Sequence, residues 1–275
     1  MRIDEVRCEV LAAVLARAGA EVILVCRSEG RGAEACDAIR AETGSERVSL
    51  MLCDVSSQIA VRDFCRAFRH RYDRLDVLIN NAGGYVAQRS HSADGLEMTF
   101  AVNHMGYFLM ARGLLASLQV AHGARVVNVA SMGHRLGRLD FDDIQWSRRR
   151  FMAFRAYCDS KLMNIQFTKA LARRLRGQGI TVNCLHPGAV RSGFAVSEAG
   201  WFGGLVRFGS GVLKSPETGA KTPVYLASDP DVAGITGEYF YNRRLRTPSR
   251  AARDEAQSER LWTLSESLVQ HDPAA

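Results

Sequence analysis

Apolar runs of strand length, rich in β-branched residues, alternate along this chain with longer segments of helical period. The first run is AEVILVC at 20–26, followed by a polar helix at 32–42; the second, VSLMLC at 48–53, ends at Asp54. A helix over 57–72 leads to a strand at 76–79, and a long helix over 93–118 to a strand at 125–130. A further helix over 153–176 precedes a strand at 180–185, and a last strand at 238–241 precedes a C-terminal helix at 251–269. The strands lack a strict apolar/polar alternation, so burial on both faces is expected. Regular alternation of strand and helix predicts an α/β fold with a doubly wound parallel sheet. With no internal repeat or low-complexity linker, residues 1–275 read as one domain. Ligands of such sheets bind beyond the carboxyl ends of the strands, so the informative residues should fall just after each one.

Composition narrows the class. Apolar residues make up 47% and charged residues 24% of the 275, the balance of a soluble globular protein with a sizeable core. The longest apolar stretch, 10–26, is interrupted by Arg17 and Glu21, so no transmembrane segment is expected. The opening Met1-Arg-Ile-Asp-Glu lacks the basic end and apolar run of a signal peptide. Seven cysteines without a Cys-x-x-Cys pair form neither a disulfide framework nor a zinc site, and a reducing, cytoplasmic compartment is expected. His104, His134 and His186 lack metal-ligand spacing, so no metal is expected. The net charge of +7 gathers in Arg148 to Arg150, Arg173, Arg174 and Arg176, and a tail from Arg243 to Arg253. These clusters lack aromatic platforms or a helix-turn-helix pattern, so they read as solvated faces attractive to anionic ligands, with no nucleic-acid partner.

The chemistry sits at the predicted strand ends. Tyr157 and Lys161 are four apart in a helical segment and share one face. A neighbouring ammonium favours the phenolate and eases proton exchange with a substrate oxygen. Alone, such a pair is common on solvated helix faces. Ser131, however, ends a strand where its hydroxyl could donate to a carbonyl oxygen. Asn80-Asn81-Ala82-Gly83 ends another, Asn103 interrupts an apolar helix, and Pro187-Gly188 closes a fourth strand. Each has a bland reading as a turn or a satisfied core amide. Their joint occurrence, in this order, does not.

With these residues the chain resembles the short-chain dehydrogenase/reductase family, and within it the retinol-dehydrogenase-like, NADP-preferring branch. The resemblance spans 9–269 and includes the Leu139-Asp-Phe-Asp-Asp stretch and the 26 positions from Ser131 to Tyr157. It implies a Rossmann-like fold in which Tyr157 is the general acid or base and Lys161 holds the nicotinamide ribose. Ser131 would polarise the carbonyl, and Asn103 would anchor a water leading from Lys161 to solvent. Asp54 and Val55 match positions touching adenine, and Asn81, Ala82 and Gly83 match the wall behind the cofactor. Val190 and Ser192, after Pro187 and Gly188, match the loop meeting the carboxamide. NADP is favoured over NAD because the end of the 20–26 strand holds Cys26 and Arg27 rather than a carboxylate for the ribose hydroxyls; Arg27 suits a 2′-phosphate.

A lid over 193–215, carrying Trp201, Phe202, Leu205 and Phe208 among glycines, implies a small lipophilic alcohol, aldehyde or ketone as substrate. Arg207 and Lys214 alone make a weak basic face for membrane attachment. The apolar helix around Asn103 and the helix bearing Tyr157 imply a possible homodimer across a two-fold axis.

One departure from the family runs through the first residues. The family begins with a strand and Thr-Gly-x-x-x-Gly-x-Gly, leading into a helix that receives the pyrophosphate. That helix is legible at 9–18, but Val6 and Cys8 hold the places of the last two glycines, and no glycine precedes Gly19. The missing strand belongs between the 20–26 and 76–79 strands. The pattern predicts either a chain whose start lies within the domain or a diverged relative without tight cofactor binding. Since the downstream residues are intact, the former is favoured. Two functions follow: an NADP-dependent oxidoreductase, or a non-catalytic scaffold built on its fold.

Overall fold

The alternating pattern resolves into layers in a computed structural model, which describes residues 3–188 and 215–269, with side chains from Cys8 onward. Helix α1 (Ile3–Arg17) precedes strand β1 (Val22–Cys26), helix α2 (Glu29–Thr43), strand β2 (Val48–Leu52), helix α3 (Gln58–Arg71) and strand β3 (Val77–Asn80). Helical segments α4 (Met98–Phe100), α5 (Gly106–Gly113) and α6 (Leu115–Val120) lead to strand β4 (Arg125–Val129), helix α7 (Ala153–Arg174) and strand β5 (Thr181–Leu185). Helix α8 (Pro216–Ser228), strands β6 (Tyr239–Tyr241) and β7 (Arg244–Leu245), and helix α9 (Glu255–Ser267) complete the order. The expected strands are present, mostly trimmed by one or two residues. Helix α8, capped by Ser215 accepting from the Thr218 N–H, was not anticipated.

The strands form two sheets. β1 and β2 pair in parallel, from Val22 opposite Val48 to Cys26 opposite Leu52. β3, β4, β5 and β6 pair in parallel in that order, and β7 adds an antiparallel edge. Among the described residues no strand joins β1 to β3, the place where a gap was expected. Burial records the gap. After its first residue each position of β4 and β5 is buried, whereas β1 and β3 are largely half-exposed and Val25 is 39% exposed. Ile23 of β1 and Leu78 of β3 both pack on the cluster of Phe64, Phe68, Met110 and Leu114. Helix α1 packs instead against α2 and α8.

The main core lies between the larger sheet and helices α5, α7 and α9. Phe108 and Phe167 meet Trp262 at ring-centroid distances of 5.0 and 6.1 Å. Phe108, Met105 and Leu118 are buried in this core.

The single helix expected over 93–118 divides. Gly95, at φ 75°, turns the chain beforehand, and the Glu97 carboxylate caps α4 by accepting from the Thr99 and Phe100 N–H groups. A π-helical turn (Ala101–Met105) separates α4 from α5, and α6 follows a break at Leu114. The C-terminal helix expected from 251 begins as a 3₁₀ turn (Ala251–Arg253). α9 then starts behind Asp254, which caps it by accepting from the Gln257 N–H. The 193–214 part of the expected lid, with Val190 and Ser192, lies outside the described residues. No helix among those described is long and apolar enough to cross a membrane.

Candidate active site

Three parallel strand ends and one helix face build the site. Ser131 follows β4 in extended conformation and caps a 3₁₀ turn (Met132–Leu136), its Oγ accepting from the Gly133 N–H at 3.2 Å. Tyr157 and Lys161 project from α7, a turn apart. A β-carbon at Gly133 would lie 3.6 Å from both Ser131 Oγ and Tyr157 Cε1, so hydroxyl and phenol ring border one small space. Lys161 is only 4% exposed; its Nζ donates to the Val129 carbonyl at 3.2 Å and lies 5.6 Å from the Tyr157 ring centre. Burying an ammonium is costly unless it is paired, and this carbonyl is one such partner.

The end of β3 closes on the same point. A β-carbon at Gly83 would come within 3.0 Å of Asn103 Oδ1 and 3.2 Å of Lys161 Nζ, so any larger residue would press on both side chains. Asn103 sits in the π turn, a local widening frequent at functional sites. Its Oδ1 accepts from the Gly84 N–H at 2.8 Å, while Nδ2 donates to the Gly84 carbonyl and to Ser160 Oγ, both at 2.9 Å. Ser160 Oγ in turn donates to the Tyr157 carbonyl at 2.7 Å. Asn103 therefore ties the β3 loop to the helix turn that carries Tyr157.

The two neighbouring asparagines have different partners. Asn80 donates to Asn128 Oδ1 and Asn128 to Thr168 Oγ1, each at 2.9 Å, a buried polar ladder across β3, β4 and α7. Asn81 Nδ2 donates to Cys8 Sγ at 2.7 Å. Ala82 beside it is exposed, Pro187 is buried, and Gly188 leaves β5 at φ 92°.

At the far end, past β1 and β2, Arg27 and Asp54 line a cleft of about 520 Å³ with Leu52, Cys53, Ala60 and Phe64. This cleft lies at the expected adenosine end rather than beside Tyr157. Asp54 Oδ1 accepts from Ser56 N–H at 3.0 Å and from its hydroxyl at 2.7 Å, fixing the turn; Val55 packs under Gly106. Between the two ends, Val6 and Cys8 fall within α1, where the sequence comparison expected a glycine loop.

Burial sets the chemistry of the neighbours. Cys158 is pushed up to about 12, chiefly by loss of water, and remains a neutral thiol beside Tyr157. Asp159 is pushed up to about 6 by burial, against the Arg138 N–H and the guanidinium groups of Arg149 and Arg155. Among the described residues no group of three His, Cys, Asp or Glu is placed to hold a metal. Ser160, Asp159 and Gly133 were not singled out from sequence. The signal for Ser160 was its place three residues after Tyr157; that for Asp159, a carboxylate on a mostly apolar helix face.

A model of the short chain dehydrogenase family matches residues 9–201, and the match contains every one of these strand ends. The chain belongs to this family. Retinol dehydrogenase 13 of Homo sapiens is 38% identical to this short-chain dehydrogenase over 265 residues, 93% of this chain and 78% of that one. Retinol dehydrogenase 12 of Homo sapiens is 38% identical over 255 residues, with 93% and 80% covered. The likeness places the chain in the retinol-dehydrogenase-like branch. Among solved structures, an uncharacterized protein from Mycobacterium paratuberculosis matches with a TM-score of 0.77 at 30% identity, covering 95% of this chain and 88% of that one. The Pseudomonas aeruginosa RhlG/NADP active-site complex matches at 0.68 and 25% identity, covering 85% and 89%. The short-chain dehydrogenase is thus an oxidoreductase by family, and its fold is Rossmann-like.

Proposed function

We propose that the protein interconverts a small apolar alcohol and its aldehyde or ketone with NADP as cofactor, a retinoid being a candidate substrate. The observation that carries this reading is the convergence of Ser131, Tyr157 and Lys161 at the carboxyl ends of the strands. The residues suit a dinucleotide at both ends: the 520 Å³ cleft for the adenosine, with Arg27 exposed for a 2′-phosphate, and Lys161 for the nicotinamide ribose. When bound, the nicotinamide supplies or accepts the hydride. The chain's own residues manage the oxygen. Ser131 Oγ–H donates to the substrate carbonyl, where negative charge develops. Tyr157 passes its proton to that oxygen, and the Lys161 ammonium stabilises the tyrosinate left behind. In alcohol oxidation the proton returns to Tyr157. A reducing, cytoplasmic location belongs to the same reading, on the odd count of seven cysteines without a Cys-x-x-Cys pair.

A second reading has its own observation. Helix α1 runs where a glycine loop would present backbone amides to the pyrophosphate, which supports a scaffold that binds cofactor weakly or not at all. Turnover of NADPH with retinal and with medium-chain aldehydes separates the two. The wild-type chain is expected to be active, and Tyr157→Phe to lose about 10²- to 10⁴-fold in rate while its melting temperature holds. Near-normal turnover by Tyr157→Phe would remove the mechanism.

A further inference from the structure

Three residues after Ser131, the buried imidazole of His134 turns back onto the residue that begins its own 3₁₀ turn. His134 Nδ1 lies 2.7 Å from the Ser131 carbonyl oxygen, and the Ser249 backbone N–H points at His134 Nε2 from 3.2 Å. A carbonyl only accepts and a backbone N–H only donates, so the partners fix the tautomer: Nδ1 carries the proton and Nε2 is bare. The ring edge packs against Tyr239, with centroids 5.0 Å apart. Tyr239 reaches onward from β6 to His186, beside Pro187. The Ser131 carbonyl thus receives two donors, the His134 backbone N–H at 3.1 Å and the imidazole Nδ1–H.

We propose that His134 is a positioning residue of the reaction: as the Nδ1–H tautomer it locks the Ser131 backbone, thereby aims the Ser131 hydroxyl, and anchors that geometry to the segment carrying Ser249. The inference rests on the oxidoreductase reading. Ser131 has extended dihedrals between a strand and a tight turn, and its Oγ is held by the Gly133 N–H of that turn, so a shift of the turn relative to β4 would release Oγ from the space it shares with Tyr157. Burial holds the ring neutral, with the nearby Arg135 guanidinium acting in the same direction and the Ser131 carbonyl opposing it. That agrees with the partners, because a second ring proton would face the Ser249 N–H.

The two ring nitrogens can be removed separately. In His134→Asn the amide nitrogen takes the place of Nδ1 and still donates to Ser131. In His134→Gln the side-chain amide reaches the place of Nε2 and can serve Ser249, but leaves the Ser131 carbonyl without its second donor. H134N is expected to keep turnover close to wild type. H134Q is expected to lower kcat by about 10- to 100-fold, the range caused by small displacements of a catalytic group, with KM for NADPH unchanged and a melting temperature matching that of H134N. Equal turnover by the two variants, at either level, overturns the proposal. ¹⁵N NMR of the imidazole in the wild-type chain reads the tautomer without any activity: Nδ1–H supports the assignment and Nε2–H overturns it. A wild-type chain that never turns over defeats the oxidoreductase reading instead, and the NMR result then decides the hydrogen-bond assignment alone.

Discussion

Arg27 stands where an NAD site would place a carboxylate, and its side chain is exposed at the rim of the cleft that also holds Asp54. A charge-assisted hydrogen bond is worth roughly 1.5 to 3 kcal/mol, so Arg27→Ala should lower the NADPH-to-NADH ratio of kcat/KM by about ten-fold or more. An unchanged ratio would show that no phosphate contact exists there. A second residue-scale effect is on pH. Asp159 is raised to about 6 from 3.8, so the native state holds its proton longer than the unfolded chain does, and stability falls as pH rises through that window. His104, fully buried beside Ser265, is lowered to about 3 from 6.5, and its contribution rises with pH over that range. The two slopes oppose each other between about pH 4 and 6. Asp159→Asn removes one of them and keeps an oxygen for the Arg138 N–H, so its melting temperature should climb more steeply from pH 4 to 6 than the wild type's. Parallel pH curves would refute the assignment. Tyr157, Lys161 and Ser131 were legible because reactive side chains stood at strand ends. Ser160 and Asp159 were not, since their roles depend on partners 57 and 21 residues away.

At the scale of elements, periodicity read the strands well and the helices at their ends poorly. Asn103 interrupts the apolar pattern over 93–118, but a single polar residue does not mark a π turn; in the structure that turn holds Asn103 against Gly84 and Ser160 of α7. Gly106, just beyond that turn, shows how closely the elements approach. A β-carbon there would lie 2.9 Å from the Val55 carbonyl oxygen and 3.2 Å from Val55 Cβ. The residue has helical dihedrals, so Gly106→Ala gains up to about 1 kcal/mol in helix propensity. The obstacle is backbone rather than a flexible side-chain tip, and overpacking of that kind costs about 1 to 3 kcal/mol. The clash should win, with a net loss in urea denaturation. A variant as stable as the parent would mean that the turn after β2 yields freely. Helix α8 escaped notice because its apolar positions follow the lid sequence, although Ser215-Pro216-Glu217 is a recognisable start signal.

At the scale of the molecule, the gap expected between β1 and β3 is present among the described residues. The sheet is divided, β1 and β3 remain half-exposed, and α1 occupies the sequence positions of the glycine loop. Apolar strands left half-exposed bury less surface, which lowers stability. The cleft beside Arg27 and the Ser131–Tyr157–Lys161 group lie on either side, and the positions between them that would present a glycine loop to a pyrophosphate are helical. Replacing 1–8 by a strand of about five or six apolar residues and Thr-Gly-x-x-x-Gly-x-Gly should therefore restore two properties together. Melting temperature should rise, because β1 and β3 regain a partner. NADPH affinity should rise, and bound cofactor at 100 times Kd adds about 2.7 kcal/mol of further stability by mass action. Fluorescence titration with NADPH alongside thermal melts, on residues 1–275 and on the extended chain, measures both. Micromolar binding by residues 1–275 would show that α1, with Cys8 held against Asn81, supplies a substitute for the glycine loop. Binding by neither chain would favour the scaffold, since a repaired cradle would then have failed to recruit the cofactor to otherwise intact ends.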